Sequence, residues 1–172
     1  MDIKEGEVFL VDKPLHWTSF NVVNKIRWKI QKTMRVKHVK VGHAGTLDPL
    51  ATGVMIICTG KATKRIEEFQ YQTKEYIATL ELGATTPCFD KELPVDATYP
   101  VEHITLELVN KVIPTFTGEI WQTPPVYSAV KVEGKRAYDY AREGKEVELK
   151  PKLLVIDEIE VINFEPPLLT IR

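Results

Sequence analysis

Cysteine is scarce in this chain: two residues, Cys58 and Cys88, in apolar or turn-like contexts and without paired spacing. That excludes a disulfide framework and suits a reducing compartment. The histidines His16, His38, His43 and His103 never pair with one another or with cysteine at zinc-ligand spacing, so no metal site is expected. There is neither a Walker loop nor a Gly-x-Gly-x-x-Gly, and no cofactor is implied. No apolar run approaches the length that spans a bilayer. The start, Met1-Asp2-Ile3-Lys4-Glu5-Gly6-Glu7, is too polar and acidic for a signal peptide. These absences point to a soluble, cytoplasmic protein with no membrane and no cofactor; no obligatory protein partner is implied.

Overall charge is also nearly absent, at −1, but it is unevenly spread. From Lys13 to Ile66 there are eleven Lys and Arg against one acid, Asp48, a net of +10; the remaining residues carry −11. A basic block of this kind points to a polyanionic partner, nucleic acid first. The plainer alternative is a solvated basic face with no partner.

At 172 residues the chain fits one domain, or one domain with a fragment of another. Such a length buries roughly two thirds of its unfolded surface and needs no staples. Glu7–Val11 reads as a short strand. Thr18 or Ser19 can cap a helix running to about Thr33, with an apolar stripe of Val22, Val23, Ile26 and Ile30 and with Lys25, Lys29 and Lys32 on another face. Residues 37–42 read as a strand, Gly53–Cys58 as a buried strand, and Lys61–Phe69 as a helix. Lys74–Leu82 alternates as a strand with Tyr76, Ala78, Leu80 and Leu82 on one face. Residues 86–101 form a looser, acidic surface excursion. Thr105–Phe116 is helical in pattern. A strand near Tyr127–Val130, a helix around Arg136–Arg142, and two β-rich pieces, Lys152–Phe164 and Leu168–Arg172, complete the chain. Strands and helices mix without a βαβ rhythm, so the expected fold is α+β with a mixed, mostly antiparallel sheet flanked by helices.

The chemistry concentrates in Gly42-His43-Ala44-Gly45-Thr46-Leu47-Asp48-Pro49 and on to Gly53. Gly42 and Gly45 allow close approach of a ligand to the backbone. Pro49 pushes Asp48 away from helical geometry. An aspartate is ionised at neutral pH, and on a shaped loop it can act as a covalent nucleophile. Asp-Pro is also a common turn, and that reading stays open on these residues alone. A glycosidase would need two carboxylates, and this loop has one.

Several blocks in order carry a resemblance to a known family: Val11-Asp12-Lys13-Pro14 with Thr18-Ser19; Gly42 to Gly53; Gly60-Lys61-Ala62-Thr63-Lys64; Lys74-Glu75-Tyr76; Leu82-Gly83; Pro124-Pro125; Tyr127-Ser128-Ala129; Lys131; Gly134-Lys135-Arg136-Ala137-Tyr138; and Ala141-Arg142. Over essentially its whole length the chain resembles the bacterial TruB family of tRNA pseudouridine-55 synthases. The resemblance implies isomerisation of a T-loop uridine in tRNA, with the T-arm as partner and no cofactor. It matches Asp48 to the nucleophile and Tyr76 to a tyrosine that stacks on the flipped base and helps remove the C5 proton. From its strand position Tyr76 could equally be a core residue. His43 matches the histidine that holds the RNA with its base extruded, and Gly45 and Thr46 lie on the same loop. Extrusion is required because the target base is otherwise buried in a folded arm. Lys13, Lys61 and Lys64 are candidate RNA contacts, the last two at a helix start where amides and ammonium groups can meet phosphate. Residues 123–152 resemble a mobile thumb, whose Lys131, Lys135, Arg136 and Arg142 are candidate phosphate contacts or merely solvated.

The chain departs from the family pattern in two places. His16 stands where the family usually has glycine, which is tolerable unless the position needs a positive φ. The family's next motif, holding an arginine that pairs with the catalytic aspartate, is expected beyond Arg172, together with further catalytic strands and a C-terminal RNA-binding domain. The expectation is therefore a partial catalytic domain with impaired activity, and a tRNA-binding or folding module is the alternative. A carboxylate-dependent hydrolase is disfavoured by the single acid in the loop.

Overall fold

A computed structural model describes residues 5–125, 130–132, 134–145 and 147–172. The chain divides into two compact units, Met1–Lys74 and Glu75–Arg172.

The first unit holds β1 (Val8–Lys13), α1 (Ser19–Met34), β2 (Val41–His43), β3 (Gly53–Thr59), a 3-10 helix (Gly60–Arg65) and α2 (Ile66–Gln70). Thr18 starts α1 with a reciprocal cap: its hydroxyl accepts from the Asn21 N–H, and the Asn21 side chain accepts from the Thr18 N–H. Arg35 ends it in the left-handed conformation, with its N–H returning to the Gln31 carbonyl. The strands form an antiparallel sheet in the order β1-β3-β2, with Lys13 opposite Gly53 and His43 opposite Ile57. Alternation along β3 sends Met55 and Ile57 inward and leaves Val54 exposed. These two join Val22, Val23, Ile30 and Val41 in one core, flanked by Phe9, Val11, Ile26, Met34, Val39 and Leu47. Each fully buried aliphatic side chain stabilises by about 1.5–3 kcal/mol, so this cluster fixes where α1 lies on the sheet.

Two expectations here need amending. The strand expected at 37–42 is confined to Val41–His43, where β3 offers partners. The helix expected at Lys61–Phe69 starts as a 3-10 helix and becomes α-helical only from Ile66. Its first amides are drawn outward, Gly60 N–H to the Lys40 carbonyl and Ala62 N–H to the Glu5 carbonyl. The Thr63 hydroxyl meanwhile bonds the Gly60 carbonyl, so local bonds compete with an α-turn.

The second unit contains β4 (Ala78–Glu81), β5 (Ala84–Thr85), β6 (Ala97–Thr98), α3 (Leu106–Val112) with a following 3-10 turn, β7 (Gly118–Gln122), β8 (Lys131–Val132), β9 (Lys135–Arg136), α4 (Ala137–Arg142), β10 (Lys152–Ile156), β11 (Val161–Glu165) and β12 (Leu168–Ile171). β12 lies in the middle of a three-stranded antiparallel sheet, between β11 and β4. β7 pairs with β10, β5 with β6, and β8 with β9, all antiparallel. The architecture is α+β with antiparallel sheets, as expected.

The strand foreseen over Lys74–Leu82 shrinks to Ala78–Glu81, the stretch that β12 can pair. Tyr76 consequently lies outside it. The β-rich piece 152–164 splits into β10 and β11, which join different sheets. β7 was not expected at all; it exists because β10 completes its ladder. The strand foreseen near Tyr127–Val130 falls mostly outside the described residues. No helix among the described residues is long and apolar enough to cross a membrane.

Candidate active site

The loop joining β2 to β3 carries Asp48 into solvent on a tightly tied backbone. The Ser19 hydroxyl, 3 % exposed at the first turn of α1, makes two bonds to Leu47. It donates to the Leu47 carbonyl at 2.8 Å and accepts from the Leu47 N–H at 2.9 Å. On the other side of Asp48, the Pro49 carbonyl accepts the His16 N–H at 2.7 Å, and the Asp48 carbonyl accepts the Ala51 N–H at 3.0 Å. The carboxylate itself is exposed and, among the described residues, joins none of the ion pairs.

His43 stands at the end of β2, half-buried, and its Nδ1–H donates to the Gly45 carbonyl at 2.6 Å. That bond selects the tautomer, so the neutral ring offers Nε2 as an acceptor. Gly45 has open space where a side chain would begin, and Thr46 is exposed. A ligand can thus approach bare backbone between His43 and Asp48. Gly42 is different: a Cβ there would come within 2.7 Å of the Ile66 side chain, which makes it a packing glycine.

Lys13 is not at the surface. It is fully buried, and its ammonium donates to the Trp17 carbonyl at 2.6 Å and the Pro14 carbonyl at 3.1 Å. A buried ammonium needs such acceptors, and here they hold the 14–17 turn in shape. Lys13 therefore acts on the loop through that turn and presents no ammonium to a ligand. His16, in the same turn, has φ +65°. The position does demand a positive φ, a conformation to which glycine is better suited than histidine.

Lys61 and Lys64 are exposed on the 3-10 helix; Lys61 is paired with Glu5 at 2.6 Å. The amides of Gly60 and Ala62, already bonded within the chain, are not free for a phosphate. Tyr76 belongs to the second unit, on an irregular segment before β4, and is 60 % exposed. That exposure removes the alternative of a core tyrosine. The backbone at Lys131, Lys135, Arg136 and Arg142 forms the paired β8 and β9 and then α4, with the Ala137 N–H on the Val130 carbonyl at 2.7 Å. Within the segment expected as a thumb, residues 126–129, 133 and 146 lie outside the described residues.

Ser19 is the residue that sequence reading missed in this role. The resemblance includes it in a block without a role, and its place beside Thr18 offered a helix cap, which Thr18 fills. Its true partner is 28 positions away, a separation no local pattern reveals.

An exposed carboxylate on a braced loop, within a basic unit of an α+β fold, defines a candidate for nucleophilic chemistry on a polyanion. Residues 31–172 match the family model described as "TruB family pseudouridylate synthase (N terminal domain)". The chain is 69% identical over its full length to the tRNA pseudouridine synthase B of Phocaeicola vulgatus, spanning 73% of that protein. It is 48% identical to the enzyme of the same name from Flavobacterium johnsoniae, with 98% of this chain and 74% of the relative aligned. Among solved structures, a Cbf5-Nop10-Gar1 complex includes a chain 28% identical at a TM-score of 0.65, matching 98% of this chain and 39% of its own. The chain belongs to the TruB family of pseudouridylate synthases.

Proposed function

We propose that this chain isomerises uridine to pseudouridine in tRNA in the cytoplasm, taking the T-loop uridine at position 55, with Asp48 as nucleophile. The Asp48 carboxylate attacks the flipped-out nucleotide. The bond from the sugar to N1 breaks, the uracil turns, a bond from the sugar to C5 forms, and the bond to Asp48 breaks, returning the free carboxylate. The C5 proton leaves and N1 ends protonated, so the product is an isomer and no oxidant or co-substrate is consumed. Tyr76 stacks on the base and assists removal of the C5 proton; an exposed ring is a suitable platform for an unstacked base. His43 holds the RNA with its base extruded, beside the open backbone of Gly45 and Thr46. Lys61, Lys64 and the thumb cations Lys131, Lys135, Arg136 and Arg142 meet phosphates of the T-arm. The observation that carries this reading is the geometry of Asp48: an exposed carboxylate whose neighbours on both sides are tied down.

Tritium release from a T-arm stem-loop labelled at uridine C5 tests it. Asp48→Asn should lower release by at least about ten-thousandfold, as removal of a covalent nucleophile does, with RNA affinity held within about twofold. Collapse of binding with activity would assign Asp48 to loop structure instead. Binding without release by the unsubstituted chain would favour the RNA-binding module, and free uracil would favour a hydrolase.

A further inference from the structure

We infer that Ser19 is a positioning residue for isomerisation: its buried hydroxyl clamps Leu47 so that Asp48 is held in the attacking orientation. The inference rests on the reading of Asp48 as nucleophile.

Both hydrogen-bonding groups of one residue, the Leu47 N–H and carbonyl, converge on a single side-chain oxygen. A hydroxyl can do this because it donates once and accepts twice. The oxygen cannot wander, since Ser19 is 3 % exposed and opens α1, a helix anchored by the Thr18 cap and by the core contacts of Val22 and Val23. The clamp has a counterpart on the far side of Asp48, where the His16 N–H holds the Pro49 carbonyl. His16 is in turn fixed by a turn whose Pro14 and Trp17 carbonyls are gathered by the buried Lys13 ammonium. Residues 47 and 49 are thus tied to one short segment, 16–19, and the residue between them is the exposed carboxylate.

Of these ties, only the one at Ser19 is made by a side-chain atom that acts directly on the loop, so substitution can remove it without altering the backbone. Serine at this position would also serve as an ordinary first-turn helix residue. Two bonds to a loop 28 positions away are not needed for that. Loss of the clamp frees Leu47 to rotate and lets Asp48 drift; a misplacement of about 1 Å can cost roughly a hundredfold in rate.

The experiment compares single-turnover isomerisation and T-arm affinity for the unsubstituted protein, Ser19→Ala, Ser19→Cys and Asp48→Asn, with amide exchange of Leu47 followed in each. Ser19→Ala should slow isomerisation by about ten- to a hundredfold, leave the RNA dissociation constant within about twofold, and speed exchange at Leu47 while the core amides of β3 keep their protection. Ser19→Cys fills the site but accepts hydrogen bonds poorly, so it should show the same loss; this separates the hydroxyl from the space it fills. Full activity in either Ser19 variant with Leu47 exchange accelerated overturns the clamp. So does a loss that appears equally in affinity or in folded fraction, which would mark Ser19 as structural. If Asp48→Asn still isomerises, the functional reading and the clamp fall together. If it is inactive while Ser19→Ala is not slowed, only the clamp falls.

Discussion

His16 and Lys13 mark what an individual residue can and cannot reveal in sequence. Histidine in place of a family glycine was ambiguous until φ was known, and the structure sets it at +65°. Left-handed backbone costs a residue with a Cβ about 1–2 kcal/mol. Ordinarily Ala is the more stable choice over Gly, through the unfolded chain. Here the order should reverse: His16→Gly is expected to exceed His16→Ala in unfolding free energy by about 1 kcal/mol, read from urea denaturation. An order with Ala above Gly would contradict the positive φ. Lys13 was legible as an important residue but not as a buried one. Its motif gives the residue type, whereas burial depends on which carbonyls the following turn gathers.

Among the elements, α1 was the most readable, because its cap, apolar stripe and length are all local properties. β3 was readable too, as an apolar run bounded by glycines. The buried strand also sets a pH dependence. Burial raises the Cys58 thiol above its usual value, which the nearby Arg65 only partly offsets. The unfolded chain therefore loses its thiol proton at lower pH than the folded one does. Stability from this group is complete below the unfolded value, about 8.5, and declines as pH rises from there through the folded value. Cys58→Ala should flatten that alkaline decline, and Cys58 should resist alkylation at pH 8 unless the protein is unfolded. A slope unchanged by the substitution would assign the decline to other groups. The less readable elements, β4, β7 and the split of residues 152–164, are those whose limits are set by a partner strand distant in the chain. Local pattern allowed strand there, but the ladder decided where it starts and stops.

For the whole molecule, the charge asymmetry follows the division into units. Residues 1–74 carry thirteen Lys and Arg against seven Asp and Glu, and residues 75–172 carry ten against seventeen. If four phosphates or more are engaged, T-arm affinity should fall by roughly a hundredfold or more between 50 and 200 mM salt. Lys64→Gln should reduce the magnitude of the log–log slope by about 0.9. Lys61→Gln should reduce it less, because Glu5 already pairs that ammonium. Equal effects of the two substitutions would mean that the Lys61–Glu5 pair opens on binding.

The mix of strand and helix patterns determined the fold class, and the ordered blocks from Val11 to Arg142 carried the resemblance to the family and with it the candidate nucleophile Asp48, because each is written in residue types at short spacing. Only the tertiary structure decided that Lys13 is buried, that His16 needs a positive φ, that Tyr76 stands free of its strand, and that Ser19 holds the Asp48 loop. The Ser19 bonds, the tie of His16 to Pro49 and the limit of the strand after Tyr76 arise where segments far apart in sequence meet, and hydrogen bonds made across such distances leave no periodicity in the chain.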